Sequence, residues 1–556
     1  MNEQPGPPAQ RPSILQRRAT RRALLAGTAS LAAAGTAAAI VGLAARDDGA
    51  PSPATEAEGE PNSLDQIPRE PVATPTLSSK KAIGDSSKRA AHLLRRAGFG
   101  GTLAEIESFS KLSKEEAADR LVNYETVSNA ALDARIANAG FVLEFGSENG
   151  QRGRVIQDMQ RWWLTRMTYT ARPLEERMTF FWHGLLTSQV SKVGPLRARW
   201  LLIQNNLYRS MALGRFDDLI QAVSKDPAML TYLDTVESTK DHPNENYPRE
   251  LMELFTMGEG NYTENDVRES ARAFTGWRVM PPPRPTAAQL EGLTEQQRRD
   301  LQQQLAYAYT PTFQFQARLH DTGSKTFLGK TGAWNGDDIV RIIMEQPATG
   351  RYITTRLWEE FAYDNPESAV VDRLVKAWDS SGHSIKAVVR EILVSDEFYS
   401  ERAYFGKVRS PIELVAGLMR GLEVEATFQN VGPGGRGSGR GAAYYAGMDQ
   451  VLFEPPNVAG WTGGSAWLSS STFFARVNFL DQVLFQRGRA LPIPSLTTAA
   501  TAEALVDAVA ARLIDGALPQ ESRAALAAHL NTIRDPQERA ATAVYLIAGS
   551  PEFQVI

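Results

Sequence analysis

At 556 residues, with 42% hydrophobic and 22% charged residues, the chain has the balance of a globular protein and is long enough for a large buried core. A net charge of −4 leaves no electrostatic footprint for nucleic acid. The absence of cysteine excludes disulfides, thiolate metal sites and attached c-type haem, so stability has to come from packing.

Thr20-Arg21-Arg22-Ala23-Leu24-Leu25 opens an uncharged, Ala-rich stretch that runs to Ala45. Paired arginines ahead of a weakly apolar segment have the form of a twin-arginine export signal over residues 1–45, with Gly42-Leu43-Ala44 as a small-x-small cleavage context. The alternative is an uncleaved N-terminal membrane anchor, since about 20 apolar residues span a bilayer. Either way the rest of the chain is expected outside the cytoplasm, in the periplasm, the envelope or the medium, and to touch a membrane only through this segment. Removal of residues 1–44 takes away five arginines and one glutamate and moves the net charge to −8. Residues 46–86, rich in Pro, Ser, Ala and Glu, read as a disordered tether.

From residue 87 to 556 helical signals dominate, which predicts a mainly α, multi-helix globular domain, undivided or in two lobes. His92 falls on a helix whose opposite side carries Arg95 and Arg96. Thr102 with Glu105, and Ser113 with Glu116, have the spacing of capping boxes. Further helices are expected over 152–170, 174–187, 195–212, 215–224, 246–257, 264–275, 337–345, 349–363, 367–380, 385–394, 410–422, 473–486, 502–515, 520–530 and 535–547. The alternation of Phe313, Phe315, Ala317 and Leu319 with polar residues runs into the turn cluster 321–324, and Lys325-Thr326-Phe327-Leu328 reads as the return strand of a small β-hairpin. Residues 281–308 and the Gly-rich 430–442 read as surface insertions. The Ser-x-Glu-Phe sequences ending at Phe398 and Phe553 each follow an apolar helix, an echo expected from two similar helix-turn joints.

The densest polar run extends from His242 to Trp277. On a helical wheel Tyr247, Leu251, Leu254 and Phe255 form a core-facing stripe, Glu245, Arg249 and Glu253 an i, i+4 ion-pair ladder, and Asn246, Glu250 and Glu253 a polar flank. Two carboxylates on one flank are suited to general acid–base work or to a hard cation, or are simply a solvated face. They need partners from other elements, and the candidates are Asp266 and Glu269, His183, and His320-Asp321. Thr263 and Asp266 have capping-box spacing. Trp461 and Trp467, in the Gly- and Pro-rich stretch that begins at Pro455, offer flat faces to a sugar or plug the core. His-Glu-x-x-His, Gly-x-Ser-x-Gly and P-loop patterns are absent, which disfavours zincins, α/β-hydrolases and NTPases.

Taken together, Ala91-His92-Leu93-Leu94-Arg95-Arg96-Ala97-Gly98-Phe99-Gly100, Phe181-Trp182-His183-Gly184, Lys225-Asp226-Pro227-Ala228-Met229-Leu230, Asn244-Glu245-Asn246-Tyr247-Pro248-Arg249-Glu250-Leu251, His320-Asp321-Thr322-Gly323-Ser324-Lys325 and Pro455-Pro456-Asn457-Val458-Ala459-Gly460-Trp461 resemble the bacterial domain-of-unknown-function family numbered eighteen-hundred. The resemblance implies an exported protein, and an exported sulfatase-like partner encoded nearby. It carries over no catalytic residues and no cofactor.

The residues support a hydrolase acting on glycan or another envelope polymer, with Glu250, Glu253, His183, His320 and Asp321 around a cleft and Asn246, Trp461 and Trp467 contacting substrate. The alternative is a non-catalytic helical binding or scaffold protein of the envelope. A third reading, a helical protein that gathers Glu and His around a metal, follows from the same residues.

Overall fold

The computed structural model describes residues 82–143, 152–194, 197–424, 446–486 and 488–556. The expected export signal and the 430–442 insertion lie outside these residues, as does all of the expected tether except residues 82–86. Those five belong to the fold. Ile83 N–H donates to the Tyr399 carbonyl at 2.9 Å, and the Asp85 carboxylate caps the Ser86–Arg96 helix by accepting from Lys88 N–H.

Helix makes up 62% of the structure, and among the described residues strands occur only as three two-stranded antiparallel pairs, so the fold is mainly α. Both boxes near the start form: Thr102 and Glu105, and Ser113 and Glu116, exchange side-chain-to-backbone hydrogen bonds of 2.8–3.1 Å, each cap contributing about 1 kcal/mol. Two helices form the centre. Pro173–Leu185 is buried at every position except Gly184, and Pro411–Leu422 is buried throughout, as expected of helices without a polar face. Arg177 of the first pairs with Glu413 of the second and with Glu360 at 2.8 Å. Around them pack Arg152–Tyr169 and Ala198–Ser210, a group formed by Pro347–Phe361, Ser368–Ser380 and Ile385–Val394, and a C-terminal group formed by Ala502–Ile514, Gln520–Leu530 and Pro536–Ala548.

The expected hairpin is displaced. Phe313–Phe315 pairs with Trp277–Val279, Ala317–Leu319 is a turn of 3₁₀ helix, and Lys325–Phe327 pairs with Lys330–Gly332 across a turn with Leu328 and Gly329 at positive φ. Phe313 packs edge-on against Trp277 at 5.0 Å, an aromatic contact that outweighs local alternation. The helices Ala287–Leu290 and Glu295–Ala308 sit between the first two paired strands, with no buried residue in Ala287–Leu290. The side opposite His92 is not free either, since His92, Arg95 and Arg96 are all buried.

The echoed joints are alike in space as well. Phe398 and Phe553 are buried, and two residues after each the chain forms an antiparallel bridge, Ser400 with Ala82 and Val555 with Val408. The bridged residue then leads into a helix, Ser86–Arg96 in one case and Pro411–Leu422 in the other.

Candidate functional site

The polar run begins as an α-helix, Asn246–Glu250, but continues as a π-helix, Leu251–Thr256. Met257 N–H donates five residues back to Met252 O at 2.9 Å, and the Thr256 hydroxyl donates to Leu251 O. Such wide turns concentrate at functional sites because they re-aim side chains out of the α register. Tyr247, Leu251 and Phe255 are buried as the wheel predicts, while Leu254 is only half-buried. The Tyr247 hydroxyl donates to Ser224 Oγ at 2.5 Å, which fixes the helix start.

Of the expected Glu245–Arg249–Glu253 ladder only the Glu245–Arg249 rung is made, since Glu253 accepts from the Tyr262 hydroxyl. Arg249 instead forks onto Glu264 at 2.7 and 2.9 Å and reaches Glu245 at 3.3 Å. Glu250 is half-buried and has no hydrogen bond or ion pair among the described residues. Burial, and next the charge of Glu253, raise its carboxyl above the usual range against the pull of Arg249.

Facing Glu250 is Tyr232, whose phenol feels the charges of Glu250 and Glu454. Tyr232 ends the Pro227–Tyr232 helix, capped by Asp226, which accepts from Met229 N–H at 2.9 Å and from Gln204 Nε2 at 2.7 Å. Burial pushes Asp226 up to about 7. Tyr232 is itself buried, and Thr187, whose hydroxyl donates to Val458 O at 2.6 Å, lies beside its phenol. Glu454 accepts from Ser191 N–H at 3.1 Å. Asn246 Nδ2 donates to Asp234 at 3.2 Å; Asp234, held at φ 58°, also pairs with Lys192 at 3.0 Å, and the Lys192 ammonium lies 5.6 Å from the Tyr232 ring centre. One polar cluster thus groups Glu250, Glu253, Glu454 and Asp234 around the buried Tyr232 and Lys192.

Four of the six quoted motifs meet here. The 225–230 motif supplies the Tyr232 helix and the 244–251 motif supplies Glu250. The 181–184 and 455–461 motifs are pressed together beneath Thr187, and at Gly460, φ +81°, a Cβ would lie 2.3 Å from the Gly184 carbonyl oxygen. Only glycine fits that contact.

The other candidates lie elsewhere. His183 is buried among the rings of Trp163, Phe453 and Trp461 at 5.2–5.6 Å, and burial lowers its pKa to about 3, so it stays neutral. His320 Nδ1 lies 2.9 Å from the Thr275 carbonyl oxygen, which makes Nδ1 the donor. Asp321 is forked by Arg272 at 2.7 and 3.3 Å, which holds its carboxyl low. Its carbonyl accepts from the buried Lys325 at 2.6 Å. Asp266 caps its own helix, accepting from Thr263, and accepts from Leu328 N–H; Glu269 pairs with Arg272. Trp467 is buried and Trp461 half-buried against Phe180 and His183, so both fill space under the loop. Among the described residues no three or more acidic or histidine side chains are arranged to hold a metal ion.

Tyr232, Glu454 and Thr187 escaped the sequence reading. Each lies one to three residues outside a quoted motif, and that adjacency was the available signal.

The chain matches the family model described as "Protein of unknown function (DUF1800)" over residues 92–555. It belongs to that family. The matched span contains every residue of the cluster, so the family relation covers the site as well as the helical frame. No curated protein and no solved structure matches the chain.

Proposed function

We propose that the chain is an exported hydrolase of neutral, hydroxyl-rich polymers such as envelope glycans, with Glu250 as general acid and Glu454 as the second carboxylate of the pair. The observation that carries this reading is the Glu250 carboxylate, half-buried and without a hydrogen-bond partner where four motifs meet, beside a second carboxylate and a phenol. A carboxyl whose pKa is raised by burial suits the acid in an acid–base pair of carboxylates. Glu250, Glu253, Glu454 and Asp234 outnumber Lys192 and Arg249, which disfavours anionic substrates, hence the neutral polymer. The twin-arginine pattern supports the exported setting.

The test is release of reducing ends from a panel of neutral and acidic polysaccharides by wild type, Glu250→Gln and Glu454→Gln. Loss of release in both variants, with unchanged melting, supports the reading; full activity in Glu250→Gln sinks it.

One observation favours a non-catalytic envelope scaffold instead. His183, Asp266, Glu269, His320, Asp321 and Trp467 are all committed to internal contacts. Binding of the same polymers by wild type and Glu250→Gln alike, without cleavage by either, would support that reading.

A further inference from the structure

The Ala91–Gly100 motif takes no part in the cluster around Tyr232. Its arginines are buried, Arg95 6% exposed and Arg96 fully covered, and they join a larger set of cations: Arg177, Lys407, Arg409 and Arg476. Arg96 feels the charges of Glu413, Arg177, Glu360 and Arg95. Arg409 feels Arg95, Glu413, Arg476 and Asp515, and Lys407 feels Glu360, Arg96, Asp364 and Glu413. These cations share Glu360, Glu413 and Asp515, with the mostly exposed Asp364 beside Lys407. Carboxylates are outnumbered in a place where water cannot screen the excess.

The hydrogen bonds show the same shortage. Arg420, elsewhere in the core, uses every guanidinium nitrogen, on the Gly100, Thr168 and Thr170 carbonyls and on Glu105. Two nitrogens of Arg95 (Nε and Nη2), two of Arg96 (Nε and Nη1), and the Nε of Arg409 and of Arg476 are buried without a partner; Arg161 and Arg512 elsewhere each leave a single Nε so, but Arg95 and Arg96 alone among the described residues leave two. Buried guanidinium N–H groups are rarely left unmade, because their desolvation goes uncompensated.

We propose that this cluster holds a small inorganic anion, hydrogen-bonded by the unpartnered guanidinium nitrogens of Arg95, Arg96, Arg409 and Arg476. The ion supplies the missing negative charge and the missing acceptors together. It also ties the Ser86–Arg96 helix to the C-terminal segment, since Arg409 Nη2 donates to Val555 O and Arg476 Nη1 to the Gln554 side chain.

The experiment uses the full chain, refolded and kept in sodium gluconate, then measured at constant ionic strength in gluconate, chloride or phosphate. Stabilisation by a bound ion raises the melting midpoint by about 2 °C or more in chloride, in phosphate or in both, the arm that responds separating halide from oxyanion. In Arg96→Met the rise disappears. Should that variant not fold, crystals soaked in bromide decide, with an anomalous peak within hydrogen-bonding distance of two of the four arginines expected for a halide. Equal midpoints in all three salts, with no bromide peak, mean that only water occupies the cluster and overturn the proposal.

Discussion

The Gly460 backbone lies directly on the Gly184 carbonyl: a methyl group at Gly460 would come within 2.3 Å of that oxygen. The contact presses the 455–461 loop, which follows Glu454 directly, onto the end of the central Pro173–Leu185 helix. Gly460→Ala combines this clash with a φ of +81° and is expected to destabilise by about 2–4 kcal/mol, read as a lower denaturation midpoint at unchanged m.

Glu250→Gln separates function from stability. The carboxyl lacks a partner, so its removal breaks no bond, and the relief of its repulsion by Glu253 is expected to leave stability within about 1 kcal/mol of wild type while hydrolysis falls by about 100-fold or more. Parallel thermal melts and reducing-end assays check both halves.

Asp226 makes stability fall as pH rises. Its folded pKa of about 7 lies above the ordinary 3.8, so the folded state binds the proton more tightly; the full benefit is present below about pH 4 and is lost as pH rises to about 7. Asn keeps an oxygen for Met229 N–H and Gln204, so Asp226→Asn is expected to raise the melting midpoint at pH 8 and to change it little at pH 4. An equal shift at both pH values would contradict this.

Glu413 acts in the opposite sense. Burial alone would raise it, but Arg177 and the hydrogen bonds from Ser410 hold it down to about 2, below the ordinary 4.5. Its contribution is complete above about pH 4.5 and is lost as pH falls towards 2. Glu413→Gln leaves Arg177 with Glu360 alone and is expected to cost about 3–5 kcal/mol near neutral pH, the penalty for breaking a buried pair, with a flatter acid limb in a pH series of denaturation curves.

Most of the helical frame was legible because caps and apolar periodicity are local. Thr102 with Glu105 and Thr263 with Asp266 close the boxes their spacing announces, and 410–422 is found as Pro411–Leu422. Phe313–Leu319 misled for the same reason in reverse, since Trp277 recruits only its first half. The π-turn was invisible, because an α-helix and a π-helix can bear one apolar pattern while sending Glu253 to different neighbours. Of the candidate site, Glu250 and Asn246 could be read on their helix. Tyr232 and Glu454 could not, being more than 200 residues apart and placed by no local rule.

The bridge between Ala82 and Ser400 gives the fold a mechanical entry point. A pull transmitted along the chain from before Ala82 reaches the domain at this bridge and at the Ile83–Tyr399 hydrogen bond, then at the Ser86–Arg96 helix, where His92 Nε2 holds the Phe398 carbonyl at 2.9 Å. Force arriving from the N-terminal side therefore loads the 395–400 joint, far along the chain from Glu250, before it reaches the rest of the helical frame.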